Sequence, residues 1–138
     1  MTAASKTVLL IDDSQTVHRM LQWALKPAGL GTLTATDGKE ALEVLAREPV
    51  DLVIVDMNMP GMDGVEFVRS VRAMPERREL PIIMLTTERR EQDMQLAYSA
   101  GVDMYLVKPS SPPVIRYKVL SLLGLQADGT EPSGEPAP

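Results

Sequence analysis

Asp12, Asp13 and Asp56 are three carboxylates placed immediately after two apolar runs, Val8-Leu9-Leu10-Ile11 and Leu52-Val53-Ile54-Val55. Thr86-Thr87 follows a third run that ends in Leu85, and Lys108-Pro109 follows a fourth, Met104-Tyr105-Leu106-Val107. If the runs lie side by side and point the same way, three acids, a hydroxyl and an ammonium meet at one edge. Carboxylates gathered in this way repel one another and are costly unless a cation sits among them. Oxygen donors with no His or Cys beside them suit Mg²⁺, which keeps several waters and takes only one or two carboxylates. A carboxylate beside Mg²⁺ and a lysine is a candidate nucleophile towards a phosphoryl group. In such transfers charge spreads over three equatorial oxygens, so catalysis consists mostly of positioning and electrostatic stabilisation. Mg²⁺, Lys108 and the Thr86 hydroxyl could each take one of those oxygens. The chemistry that fits is acyl-phosphate formation on Asp56.

The elements that must position these groups alternate along the chain. Uninterrupted apolar runs rich in β-branched residues read as strands buried on both faces of a parallel sheet. Strands are expected at Val8–Ile11, Leu33–Thr36 (more exposed, since Thr alternates with apolar residues), Leu52–Val55, Ile82–Leu85 and Met104–Val107. Between them, apolar residues recur at helical spacing. Val17, Met20, Leu21, Ala24 and Leu25 follow Ser14 as N-cap, and Gly29 ends that helix. Asp37-Gly38-Lys39-Glu40 has the form of a capping box ahead of Ala41, Leu42, Val44 and Leu45. Val65, Phe67, Val68 and Val71 mark a third helix stopped near Pro75, and Met94, Ala97, Tyr98 and Gly101 a fourth. Pro112-Pro113 opens a fifth with Val114, Ile115, Val119 and Leu123 inward. Five strands alternating with five helices imply an α/β, doubly wound parallel sheet with helices on both faces. Ligands in such sheets bind outside the carboxyl ends of the strands, where all the residues named above fall. The turn Met57-Asn58-Met59-Pro60-Gly61-Met62-Asp63-Gly64 shapes the backbone around Asp56.

Size and composition bound the function. A chain of 138 residues is one domain, able to bury roughly 68% of its unfolded surface without staples. Residues 6–125 are expected to form it, with 1–5 as an N-terminal tail. From Gln126 the composition falls to Gly, Pro, Glu, Ser, Ala, Thr and Asp, which reads as a disordered tail or the start of a linker over 126–138. Fourteen Lys+Arg against nineteen Asp+Glu give a net charge of −5, which argues against nucleic acid or an anionic membrane as partner. There is no cysteine, so disulfides, thiolate nucleophiles and zinc-thiolate sites are excluded. No apolar run approaches the roughly 18 residues of a membrane span, and a cytoplasmic location is expected.

Taken together, Asp12-Asp13, the Asp56-to-Gly64 run, Thr86, Tyr105 and Lys108-Pro109 resemble, in order and spacing, the receiver domain of two-component response regulators. The chain is most similar to single-domain chemotaxis-type regulators over about residues 6 to 124. The resemblance implies a flavodoxin-like sheet of order 2-1-3-4-5 and Asp56 as phosphoacceptor, forming a 4-aspartylphosphate. It implies Mg²⁺ bound by Asp13, Asp56 and the Asn58 backbone carbonyl, with Asp12 acting through water. Thr86 and Tyr105 match the family's conformational switch pair, and Lys108-Pro109 its usual cis peptide. Asn58 and Glu88 hold the positions that tune phosphoryl lifetime. The implied donor is a histidine kinase or histidine phosphotransfer protein. The output is a protein partner at the fourth helix, fifth strand and last helix, or a further domain if the chain is part of a larger regulator, and a monomer is expected. Enzymatic activity is limited to self-phosphorylation and self-dephosphorylation. One departure stands out: Ser110-Ser111-Pro112-Pro113 replaces the aromatic residue the family commonly carries after Lys-Pro.

Other readings of single residues remain in view. The lone histidine, His18, is expected on an exposed helix face near the partner surface, not as a phosphohistidine relay. Glu88-Arg89-Arg90-Glu91 reads as a solvated helix start, and the methionines as core filler, with Met57, Met59 and Met62 bordering the site. A constitutive pseudo-receiver would lack the acidic pair, the Thr or the Lys, all present here. An Asp-nucleophile phosphohydrolase would carry Asp-x-Asp, whereas Asp56 is followed by Met57-Asn58.

Overall fold

Every residue of Leu52–Val55 and Ile82–Thr86 is buried, as unbroken apolar runs require when both sheet faces are covered by helices. The computed structural model describes residues 6–125; the tails expected at 1–5 and 126–138 lie outside them. Five strands, β1 (Thr7–Ile11), β2 (Gly31–Ala35), β3 (Leu52–Val55), β4 (Ile82–Thr86) and β5 (Met104–Val107), form one parallel sheet of order β2-β1-β3-β4-β5. The helices are α1 (Gln15–Leu25), α2 (Gly38–Arg47), α3 (Gly64–Arg72), α4 (Glu91–Ala100) and α5 (Pro112–Leu122). This is the flavodoxin-like, five-helix arrangement expected, and the chain reverses its direction of travel across the sheet at β1 and β3.

Strand periodicity divides the core in two. Leu9, Ile11, Val53, Val55, Ile82 and Met84 point to the face packed by α2, α3 and α4, around the fully buried Phe67. Val8, Leu10, Leu52, Ile54, Ile83 and Leu85 point to the opposite face, packed by Leu21 and Leu25 of α1 and Ile115, Val119 and Leu120 of α5. Met57 and Met59 belong to the first of these clusters, so they are core residues more than lining of the site.

Local chemistry sets the helix starts. Ser14, Asp37 and Ser111 each accept a backbone N–H of the first turn, from Val17, Glu40 and Val114. The full reciprocal capping box is at Asp63 and Glu66. At Asp37 it is incomplete, because Glu40 turns to the Thr36 N–H at 2.7 Å and the Thr36 hydroxyl at 3.0 Å. α1 stops at Leu25; a 3-10 turn over Lys26–Ala28 carries the chain to Gly29, whose φ of 75° is the left-handed conformation that favours glycine.

Arginines close the amino-terminal edge of the sheet. Arg72 donates to the carbonyls of Leu80 (2.7 Å), Arg78 (3.1 Å) and Gly101 (2.8 Å), and to the Asp103 carboxylate at 3.1 Å. That same Asp103 oxygen accepts the Ile82 N–H at 2.8 Å. Truncation would strand several partly buried carbonyls, each costing about 1–3 kcal/mol. Arg72→Ala is therefore expected to lower unfolding stability by about 3 kcal/mol, and Arg72→Lys to recover little, since an ammonium cannot reproduce the fork. Urea unfolding at constant m-value checks this; a loss under about 0.5 kcal/mol, the usual surface effect, would show that the arginine is not a clasp.

Candidate functional site

The carboxyl ends of β1 and β3 are tied together one residue beyond the strands. Asp56 N–H donates to the Ile11 carbonyl at 3.0 Å, and Asp12 N–H to the Ala35 carbonyl at 3.1 Å. Both acids are thus fixed to neighbouring strands at the point where the topology reverses, the usual ligand crevice of open α/β sheets. Asp12 is oriented further by its own turn, its Oδ1 accepting the Ser14 N–H at 3.0 Å. Carboxylate oxygens of Asp12, Asp13 and Asp56 lie within 4.8 Å of one another. Asp12 is buried, Asp13 exposed, and the Asp56 side chain 12% exposed, so Asp56 is held firmly yet open to a reactant.

Lys108 supplies the countercharge. Its backbone N–H bonds the Thr86 carbonyl at 2.8 Å, which fixes the root of the side chain. Its Nζ reaches Asp12 Oδ2 at 2.8 Å and Asp56 Oδ2 at 3.5 Å. The Lys108–Pro109 peptide is cis. Three acids and one ammonium still leave net negative charge, and the donors are all oxygen, so the cluster fits a hard divalent cation.

The loop after β3 needs Gly64. A Cβ there would run into the Asp56 carbonyl and crowd the Met57 Cα, so only glycine lets α3 begin this close to Asp56. Asn58 stands at the mouth, its side-chain amide donating to Glu88 Oε2 at 2.8 Å across the opening. Thr86 is fully buried at the end of β4. It does not cap α4, whose N-cap is Arg90; its hydroxyl instead accepts the Glu88 N–H at 3.4 Å. Tyr105 points inward, buried, with its hydroxyl donating to the Glu88 carbonyl at 2.9 Å. Burial raises its phenol pKa above the ordinary value, and the carboxylates of Asp93, Glu88 and Asp56 add to the rise.

Several residues depart from expectation. His18 is not exposed: it is buried on α1 with Nε2 3.2 Å from the Ala35 carbonyl. An apolar-face position and a partner on β2 explain this, since the same carbonyl takes the Asp12 N–H. Tyr98 is half-exposed; its hydroxyl accepts the Tyr105 N–H at 3.1 Å and its ring sits 6.5 Å from that of Tyr105. Ser110, where the family commonly has an aromatic residue, donates its hydroxyl to the Val107 carbonyl at 2.9 Å. Glu88, Arg89 and Arg90 precede α4 in the loop, with Arg90 paired to Asp93 at 2.9 Å.

Comparison with known proteins gives a consistent result. The response regulator receiver domain model matches residues 8–120. A chemotaxis protein CheY homolog of Campylobacter jejuni is 40% identical over 119 residues, covering 85% of this chain and 92% of that protein. PhoP of Bacillus subtilis, an alkaline phosphatase synthesis transcriptional regulatory protein, is 34% identical over 119 residues, and the chain spans 49% of its length. The structure of the chemotaxis response regulator CheY4 of Vibrio cholerae superposes with a TM-score of 0.80 at 37% identity, covering 85% of this chain and 98% of that one. No helix among the described residues is long and apolar enough to cross a membrane. The chain belongs to the response regulator receiver domain family of two-component systems.

Proposed function

We propose that this chain takes a phosphoryl group from a phosphohistidine onto the Asp56 carboxylate and passes the signal on through a protein-binding surface. The observation that carries the reading is the Asp56 carboxylate, 3.5 Å from Lys108 Nζ and within 4.8 Å of the Asp12 and Asp13 oxygens. In the reaction an Asp56 oxygen attacks phosphorus as the phosphorus–nitrogen bond of the donor breaks and the imidazole nitrogen keeps the electron pair. Lys108 is already aimed at that oxygen and can follow charge onto the phosphoryl group, and the Thr86 hydroxyl can take a second oxygen. Bound Mg²⁺ would supply charge neutralisation on the transferring oxygens; Asp13, Asp56 and the Asn58 carbonyl would hold it, with Asp12 acting through water because Lys108 occupies it. Hydrolysis reverses the modification: water attacks phosphorus, the bond to Asp56 breaks, phosphate leaves and the carboxylate is restored.

The donor class is a histidine kinase or histidine phosphotransfer protein, and the working unit is residues 6–125, acting as a cytoplasmic monomer. Thr86 and Tyr105 are the switch. Both bond Glu88, so a pull on Thr86 towards a phosphoryl oxygen acts on the backbone that holds the Tyr105 hydroxyl and biases Tyr105 towards its inward position. Tyr98, whose ring is tilted against that of Tyr105, carries that change to α4, and the output surface is α4, β5 and α5. Chemotaxis relatives favour a short-lived signal.

Three outcomes test this. Asp56→Asn keeps the shape and loses the nucleophile: phosphoryl uptake from acetyl phosphate with Mg²⁺ should vanish, while thermal stability without metal should not fall, because one of three repelling charges is gone. Undiminished labelling of that variant would remove Asp56 from the role.

Mg²⁺ should raise the stability of the parent by about 2.7 kcal/mol at 100 times its Kd. Asp13→Ala should erase most of that response. A melting temperature indifferent to Mg²⁺ in the parent sinks the acid-pocket reading.

Decay of the aspartyl phosphate should be comparatively fast, since Asn58 and Glu88 are polar and orient water at the mouth. Asn58→Met or Glu88→Leu should each slow it. Because the two side chains are hydrogen-bonded, the double variant should slow it by less than the product of the single effects. Equal or faster decay in either single variant shows that these residues do not govern water access.

A further inference from the structure

Trp23 is the only tryptophan of the chain and is 72% exposed on α1. It does not stand alone: Trp23, Lys26, Pro27 and Arg116 line a groove of about 210 Å³ at the seam of α1 and α5. Arg116 is fixed there by its Nε, which donates to the Ala24 carbonyl at 2.8 Å. Among the described residues, no carboxylate forms an ion pair with Lys26 or Arg116. In a chain of net charge −5, this is a local reversal of sign built around an indole and a proline ring. Aromatic-lined grooves take extended, proline-bearing segments, whose backbone is preordered, and the two cations select carboxylates among them.

We propose that the occupant is the chain's own segment 126–138, which lies outside the described residues. It contains three carboxylates, Asp128, Glu131 and Glu135, no Lys or Arg, and the dipeptide Glu-Pro twice, at 131–132 and 135–136. Each dipeptide sets an acid beside a ring, the chemistry that Lys26 or Arg116 beside Trp23 would receive. Four residues in an extended proline-type helix advance about 12 Å, which sets the two acids apart along the segment. The point of departure is close by. Leu125 donates its N–H to the Leu120 carbonyl at 2.7 Å and packs in the same apolar cluster as Leu25 and Ala28, which flank Lys26-Pro27. Along α5, Arg116 is six residues from Leu122, about 9 Å at helical rise. Tethering at that distance holds the segment at millimolar effective concentration, so weak contacts suffice. The inference does not depend on phosphorylation of Asp56.

Trp23 reports on its own groove, so the 138-residue chain is compared with its variant Asp128→Lys/Glu131→Lys/Glu135→Lys. The parent should show slower acrylamide quenching of Trp23 and a shifted indole N–H resonance, and the variant should lose both. Salt at 1 M, where the Debye length falls to about 3 Å, should bring the parent to the variant's values and leave the variant unmoved. Lys26→Glu should abolish protection in the parent and restore part of it in the charge-reversed variant. Identical quenching and indole shift in parent and variant at both salt levels would overturn the proposal. So would protection that rises with protein concentration, which would assign the groove to a second copy of the chain, or protection that appears only when a separate acidic peptide is added.

Discussion

The ammonium of Lys108, 2.8 Å from Asp12 and 3.5 Å from Asp56, is the interaction on which the site depends. Parallel strands ending in acids bring carboxylates together whether or not chemistry follows, and the sheet must tolerate them. The Lys108 ammonium forms an ion pair with the buried Asp12 and offsets half of the charge that Asp12 and Asp56 carry together, while water screens the exposed Asp13. Removing one partner of such a pair costs about 3–5 kcal/mol because the other is left buried and alone. The same geometry leaves the pocket short of one or two positive charges. It therefore favours a divalent cation, and an anionic group would be accommodated only once that cation had reversed the local charge.

Glu88 is the second organising residue. Its N–H is held by Thr86, its carbonyl by Tyr105 and its carboxylate by Asn58, at 3.4, 2.9 and 2.8 Å. Those three partners lie on β4, β5 and the loop after β3, so one short segment reports on all of them. Loss of any of these bonds changes the free energy of the others, which is what a coupling between an acceptor site and a distant surface requires. The contact with Thr86 is long, at 3.4 Å, and the bond between Asn58 and Glu88 is exposed, so the loop is not locked. A two-state element must have that marginal character if a single phosphoryl group is to bias it.

How much of this was legible in the chain follows from which forces act locally. Buried parallel strands are written as unbroken apolar runs, so β3, β4 and β5 could be located within a residue, and the acids, threonine and lysine at their ends came with them. Ser14 and Pro112 announced helix starts because caps and N1 prolines act through their own backbone neighbours. The capping box at Asp63–Glu66 has the same local form and was overlooked in the turn around Gly61. His18 was misplaced because a single polar residue on a helix carries no sign of which strand carbonyl awaits it. The contact of Tyr98 with Tyr105 was not legible, because the hydroxyl's partner, the Tyr105 N–H, is a strand-edge group visible only after β5 is docked. The roles of Arg72 and Arg77 were illegible for the same reason: each collects carbonyls from segments up to 32 residues away.

Those arginines explain why the two ends of the sheet behave differently. At the amino-terminal edge Arg72 and Arg77 fill carbonyl-lined corners, while Asp51 and Asp103 accept the Thr7 and Ile82 N–H groups, both at 2.8 Å. Among the described residues, no buried side-chain polar atom lacks a partner. The strands are thus pinned where no chemistry occurs. At the carboxyl edge the loops are joined by side chains with alternatives: Lys108 between two acids, Glu88 among three partners, Asn58 at the mouth. Stability within one domain is unevenly distributed, and segments that must rearrange come from its weaker end. A firmly closed edge lets the loops at the other edge change their bonds without loosening the strands.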